Sequence, residues 1–209
     1  MKSRTLRFVA IALGIAILVG GLTWLLKRQV EKPQVNTQIV VSDDDPSSNK
    51  PEDEGYVWRG APDEPKQIEI SSIGVKAYIQ KVDVTSKQQV AAPNNIYLAG
   101  WFVRYPKPGE QGLSIIDGHI VDKSDQGVFT RLGEMQPADE FSVVFGDNSR
   151  KTFSVIETRV VDTDKAESVL FSQNPLVRNQ LNLITCGGTY DESSRVFNKR
   201  VIVISELIQ

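Results

Sequence analysis

Hydrophobic positions are arranged in two ways along this chain. One is an unbroken apolar block, Phe8 to Leu26, with no charged residue in its 19 positions. The other is a succession of short runs after residue 66, many alternating between apolar and polar. The block predicts a helix. At ~1.5 Å per residue it matches the ~30 Å hydrocarbon core of a bilayer. Trp24 lies near one end, where an amphipathic ring suits the interface. Lys27 and Arg28 close the block, and no small-x-small cleavage site follows, so an uncleaved anchor is expected rather than a signal peptide. Basic residues flank both ends almost equally. A single N-terminal anchor ahead of a large polar domain predicts the N-terminus inside and the domain outside.

The short runs read as strands: Gln67–Ile70, Val75–Val82, Ile96–Ala99, Leu113–Ile116, Phe141–Phe145, Thr152–Ile156, Arg159–Val161, Leu181–Thr185 and Val201–Ile204. Turn signals separate them at Pro93-Asn94-Asn95, Pro108-Gly109 and Gly146-Asp147-Asn148. Short helices fit only near Gly127–Leu132 and Lys165–Phe171. Many short strands so spaced predict an all-β domain, a closed or nearly closed barrel. Val201–Ile204 is apolar at every position, as a strand covered on both faces would be.

Between block and strands, residues 29–65 are polar, acidic and punctuated by proline, as in Asp43-Asp44-Asp45-Pro46-Ser47-Ser48. Such a stretch buries too little apolar surface to offset the entropy of ordering, and it reads as a flexible tether. Tyr56-Val57-Trp58 interrupts it, either docked on the domain or loosely exposed. The expected layout is therefore an N-terminal tip and transmembrane anchor over 1–28, an acidic linker over 29–65 and a β-barrel domain over 66–209.

Composition narrows the chemistry. The formal net charge is −2 over 209 residues, which offers nothing global to nucleic acid. One Cys and one His exclude an internal disulfide, a multi-cysteine zinc site and a multi-histidine metal site. Thiol–imidazole chemistry, if present, pairs Cys186 with His119. Each follows an apolar run and sits beside glycine, in Leu181-Asn-Leu-Ile-Thr-Cys-Gly-Gly and Leu113-Ser-Ile-Ile-Asp-Gly-His. Taken singly, Cys186 reads equally as a small buried hydrophobe and His119 as a ring satisfied by nearby backbone. Arg200 opens the last apolar run. Alone it is a solvated strand-end charge. If 181–186 and 200–207 pair antiparallel, Cys186 and Arg200 share one edge of the sheet, with Gly187–Lys199 as the connecting loop. Together the three types form a chemical set: a thiolate to attack a carbonyl, an imidazolium to protonate a leaving amine, a guanidinium to stabilise the oxyanion. Arg195 competes with Arg200 for the last role.

These residues resemble the sortase family. Leu183-Ile-Thr-Cys is similar to the family's TLxTC motif, with Asn182 in place of the usual Thr. Gly118-His119 and Lys199-Arg200 fall where the family has its catalytic His and Arg, in the family order His, Cys, Arg. The resemblance runs from about Pro65 to Glu206. The segments Ile70–Val75 and Pro108–Gly112 look most like class F, with class E next.

The resemblance implies an eight-stranded barrel and a two-step acyl transfer. Cys186 would attack an LPxTG-like sorting signal, His119 would protonate the leaving amine, and Arg200 would stabilise the tetrahedral intermediates. A cell-wall or protein amine would resolve the thioester. It also implies a substrate contact for Thr185, a thiolate–imidazolium pair populated only in part, and no cofactor or metal. A peptide-binding module without turnover, and a sortase acting mainly as a hydrolase, are the alternatives. The lid of pilus-building class C enzymes, Asp-Pro-aromatic, is absent, since Ser47 follows Asp45-Pro46.

Overall fold

The computed structural model describes residues 39–40, 46–53, 55–85, 90–120, 125–194 and 196–209. The expected membrane helix and Arg195 lie outside the described residues. Among those described, no helix is long and apolar enough to cross a membrane.

Among the described residues nine strands run in chain order: β1 (Ile39–Val40), β2 (Pro65–Ile70), β3 (Val75–Val82), β4 (Ala99–Phe102), β5 (Gly112–Gly118), β6 (Glu140–Phe145), β7 (Arg150–Asp162), β8 (Asn179–Asp191) and β9 (Val196–Leu207). One helix, α1 (Thr163–Leu170), connects β7 to β8. Hydrogen bonding orders the strands β3-β2-β6-β7-β9-β8-β5-β4, and β4 returns to β3. The last pairing closes an eight-stranded barrel, with the two-residue β1 added beside β3. Closure leaves these eight strands few free edges. Two contacts are parallel, β3–β4 and β5–β8; the others in the barrel are antiparallel.

Strand alternation sorts side chains into two cores. Ile68, Ile116, Phe153, Leu183 and Val203 point inward and pack with Phe129 and Leu132. Ile115, Leu113, Ile202 and Ile204 point outward and are roofed by Ala166 and Leu170 of α1 and by Val82, Ala91 and Phe102. The period-2 geometry of β9 thus buries Val201 and Val203 on one face and Ile202 and Ile204 on the other, as the apolar run predicts.

Four local readings change. Ile96–Leu98 forms a turn, and β4 starts at Ala99, because Asn95 Oδ1 accepts the Tyr97 N–H at 2.9 Å and extends the Pro-Asn-Asn turn. The two runs 152–156 and 159–161 are a single strand, β7, carrying a bulge between Val155 and Glu157. Residues 128–131 are turns rather than helix, followed by a 3-10 turn at Leu132–Glu134. There the Thr130 hydroxyl donates to the carbonyls of Ile120 and Gly127, in competition with a helical ladder. The presumed loop after Cys186 is largely a ribbon: β8 and β9 stay paired out to Asp191 and Val196, with Tyr190 against Phe197 at 5.1 Å between ring centroids.

Part of the stretch read as tether is packed on the barrel. Ser47 bridges Asn95, Pro51 is buried, and Tyr56 lies 5.6 Å from the Tyr78 ring of β3. Burial, with Tyr78 close by, pushes the Tyr56 hydroxyl up to about 12. Glu64 pairs with Lys81 at 2.8 Å. Composition concealed these contacts because most are backbone hydrogen bonds or single side chains, which leave no apolar run.

Candidate active site

Cys186 lies within β8, directly opposite Arg200 of β9 in the antiparallel register. Neither ends its strand, because the ribbon continues past both. A register shift between Gly187 and Tyr190 accompanies Gly188, whose φ of 74° suits glycine. An added Cβ at Gly188 would press on Lys199, 2.6 Å from its Cγ. Glycine is therefore required beside the thiol for both backbone angle and space.

Alternation puts Cys186 on the outer face, in step with Ile184, while Leu183 and Thr185 point inward. On β5, Asp117 pairs with Ile184 in the parallel register. Two residues further along each strand come His119 and Cys186, so both belong to the outer face. Arg200 joins them there, in step with Ile202. Thiol, imidazole and guanidinium thus sit on three adjacent strands or their ends, β5, β8 and β9.

Each is held. His119 Nε2 lies 2.7 Å from the Pro93 carbonyl. The His119 carbonyl accepts the Phe129 N–H at 2.9 Å. Arg200 Nη1 reaches Thr163 Oγ1 at 3.1 Å, Phe197 O at 3.0 Å and Lys199 O at 2.9 Å. The start of α1 therefore helps to place the guanidinium. Lys199 is held at Asp162 (2.5 Å), and Asp162 is pulled down to about 2 by Lys199 and then Lys165.

Burial pushes the Cys186 thiol up, Arg200 draws it down and Asp117 adds an upward push. Burial therefore favours the protonated form of the thiol. Asp117 is a site residue that sequence reasoning passed over. Its Oδ1 is enclosed, lies against Gly100 of β4 and has no hydrogen-bond partner among the described residues. Burial holds its carboxyl well above the usual carboxylate range. The available signal was its position two residues before His119 on a strand, which alternation assigns to the same face. Pro93 left no such signal, since it acts through a carbonyl that every residue possesses.

Thr185, for which the resemblance implies a substrate contact, faces into the barrel. It is 4% exposed, and its hydroxyl donates to the Gly118 carbonyl at 2.7 Å. It braces β8 against β5 from inside the barrel, one residue from both Cys186 and His119. Asn182 likewise has a structural task, donating to the Leu170 carbonyl at 2.8 Å at the end of α1. Two surface cavities, of about 260 and 430 Å³, meet at Tyr97 and Lys76, and neither is lined by the three reactive side chains.

A closed β-barrel bearing one thiol opposite a fixed arginine, with a histidine on the neighbouring strand, defines a cysteine acyl-transfer scaffold. The chain belongs to the sortase family: a model of the Sortase domain matches residues 68–208. It is thus a cysteine transpeptidase of the sortase type. The fold is shared with sortase C-1 from Actinomyces oris, at 22% identity and a TM-score of 0.51 over 68% of this chain and 72% of that one. It is shared also with a Clostridium perfringens sortase D5 transpeptidase, at 23% identity and 0.51 over 70% and 80%. A lid mutant of sortase A from Corynebacterium diphtheriae matches at 18% identity and 0.52 over 72% and 73%. No curated protein matches the chain.

Proposed function

We propose that the protein is a membrane-anchored, extracytoplasmic transpeptidase that joins LPxTG-like sorting signals to a cell-envelope amine. The observation carrying this reading is the cross-strand pairing of Cys186 with Arg200 on the face shared with His119. The Cys186 thiol gives its proton to His119 and attacks the carbonyl carbon of the scissile peptide bond. Arg200 stabilises the oxyanion that forms. His119 then passes its proton to the departing amine, and a thioester remains on Cys186. An incoming amine attacks the thioester, loses a proton to His119 and releases the thiolate. The apolar block Phe8–Leu26 supports a single anchor with the N-terminus inside, which would place the barrel on the outer side beside secreted substrates. Ile70–Val75 and Pro108–Gly112 support a class F assignment within the family. Ser47 after Asp45-Pro46 favours protein anchoring over pilin polymerisation.

The test is intact-mass analysis of the protein mixed with a panel of fluorogenic LPxTG-type peptides. A thioester adduct that vanishes in Cys186→Ala is expected, with turnover lowered roughly 10²–10³-fold in Arg200→Ala. Turnover near the parent level in Cys186→Ala would remove the nucleophile assignment. Absence of adduct and cleavage across the panel, with a titratable thiol, would favour a binding module without turnover.

A further inference from the structure

The packed part of the tether reaches the active site through one loop. Ser47 N–H donates to the Asn94 carbonyl at 2.8 Å, and Ile96 N–H donates back to the Ser47 carbonyl at 3.0 Å. The Asn95 side chain, 3% exposed, donates through Nδ2 to the Asn49 carbonyl at 2.8 Å and accepts the Tyr97 N–H at 2.9 Å. Gln80 of β3 grips the same loop from the barrel: its Nε2 donates to Asn94 Oδ1 at 2.8 Å, and its Oε1 accepts the Asn94 N–H at 3.2 Å. The residue before this set is Pro93, whose carbonyl lies 2.7 Å from His119 Nε2.

A carbonyl oxygen only accepts. The proton of the neutral ring must therefore sit on Nε2, and the basic lone pair on Nδ1. The Pro93 carbonyl has no rotamer of its own, so it is placed only as well as residues 93–96 are placed. Two segments hold them, β3 through the Gln80 side chain and the tether through the backbone of Ser47 and Asn49. Pro93 is itself buried, which limits adjustment on its own side.

We infer that tether residues 46–49 are a positioning element of the active site, clamping residues 93–96 so that the Pro93 carbonyl fixes the ring of His119 with Nδ1 as its proton-transfer nitrogen. This rests on the reading of His119 as the general acid. Ser47, Asn49 and Asn95 touch no reacting atom and act through Pro93. The polar, proline-punctuated composition that reads as spacer then includes a short segment tuned to one loop, because backbone hydrogen bonds need no apolar residues.

The chain contains a single histidine, so its ring signals are unambiguous in a nitrogen NMR spectrum of the full chain labelled with ¹⁵N-histidine. The neutral ring of the parent is expected as one tautomer, protonated on Nε2. Ser47→Pro removes the N–H that reaches Asn94, and Asn95→Ala removes the bond to Asn49. Each should admit the tautomer protonated on Nδ1. Each should also lower kcat on the best peptide of the LPxTG-type panel by roughly ten- to a hundredfold, the scale of a small misplacement, with KM within about twofold. A parent ring protonated on Nδ1 overturns the inference. So do Ser47→Pro and Asn95→Ala proteins whose ring spectra and kcat equal the parent's. His119→Ala separates the two levels. Loss of its turnover together with parent-like clamp variants rejects only the clamp, whereas retained turnover rejects the acid assignment itself.

Discussion

Asp117 shows how one buried atom sets a pH response. Its Oδ1 is enclosed without a partner among the described residues, and burial raises its carboxyl well above the ordinary value of ~3.9. Unfolding restores that ordinary value. Between the two, the folded chain keeps a proton that the unfolded chain has lost, so stability falls as pH rises through the window. Asp117→Asn removes the ionisation and should flatten the fall. Thermal unfolding of both proteins at a series of pH values above the ordinary carboxylate range measures this, and equal slopes would reject it. The same substitution removes the upward push that Asp117 exerts on Cys186. The alkylation rate of the thiol should therefore reach its plateau at lower pH in the variant.

At the scale of elements, β5 and β8 hold the site by being parallel neighbours braced from within. Gly118 lies on the inner face, one residue before His119, where the Thr185 hydroxyl meets its carbonyl. A Cβ there would stand 2.5 Å from Val128 Cγ1 and 2.7 Å from Phe129 Cδ2, both closer than packed atoms allow. Gly118→Ala is expected to cost about 1–3 kcal/mol by overpacking, read from denaturant unfolding, and to lower kcat as the strand end shifts. An unfolding free energy within a few tenths of a kcal/mol of the parent would show that the Phe129 segment yields. The His119 segment is constrained on a second side as well, since a Cβ on Gly127 would lie 2.5 Å from the His119 carbonyl oxygen.

At the scale of the whole molecule, the barrel extends into what composition marks as linker. Pro51 is buried, Tyr56 packs on Tyr78, Glu64 pairs with Lys81, and the Glu64 carbonyl accepts the Gly146 N–H at 3.0 Å. A chain beginning at Pro65 should therefore melt below one beginning at Ile39. Each kcal/mol lost corresponds to roughly 2–4 °C in a domain of this size. Identical Tm values would mean that these contacts add nothing to stability.

What the sequence by itself determined is tied to local periodicity and residue scarcity. Alternating runs specified most of the strands and the doubly covered β9, because a period of two is a property of the strand itself. A single Cys and a single His left one thiol–imidazole pair to consider, and the flanking apolar runs marked both. The antiparallel match of Cys186 with Arg200 was also legible, from two runs joined by a short connection. Tertiary structure alone decided the rest. Thr185 faces inward and Asp117 outward through the register of β8 on β5, a contact between segments more than 60 positions apart. The hold on His119 comes from a main-chain carbonyl at Pro93, and the hold on that loop from main-chain groups of Ser47 and Asn49. Every residue carries such groups, so nothing in side-chain chemistry distinguishes these positions until the chain is folded.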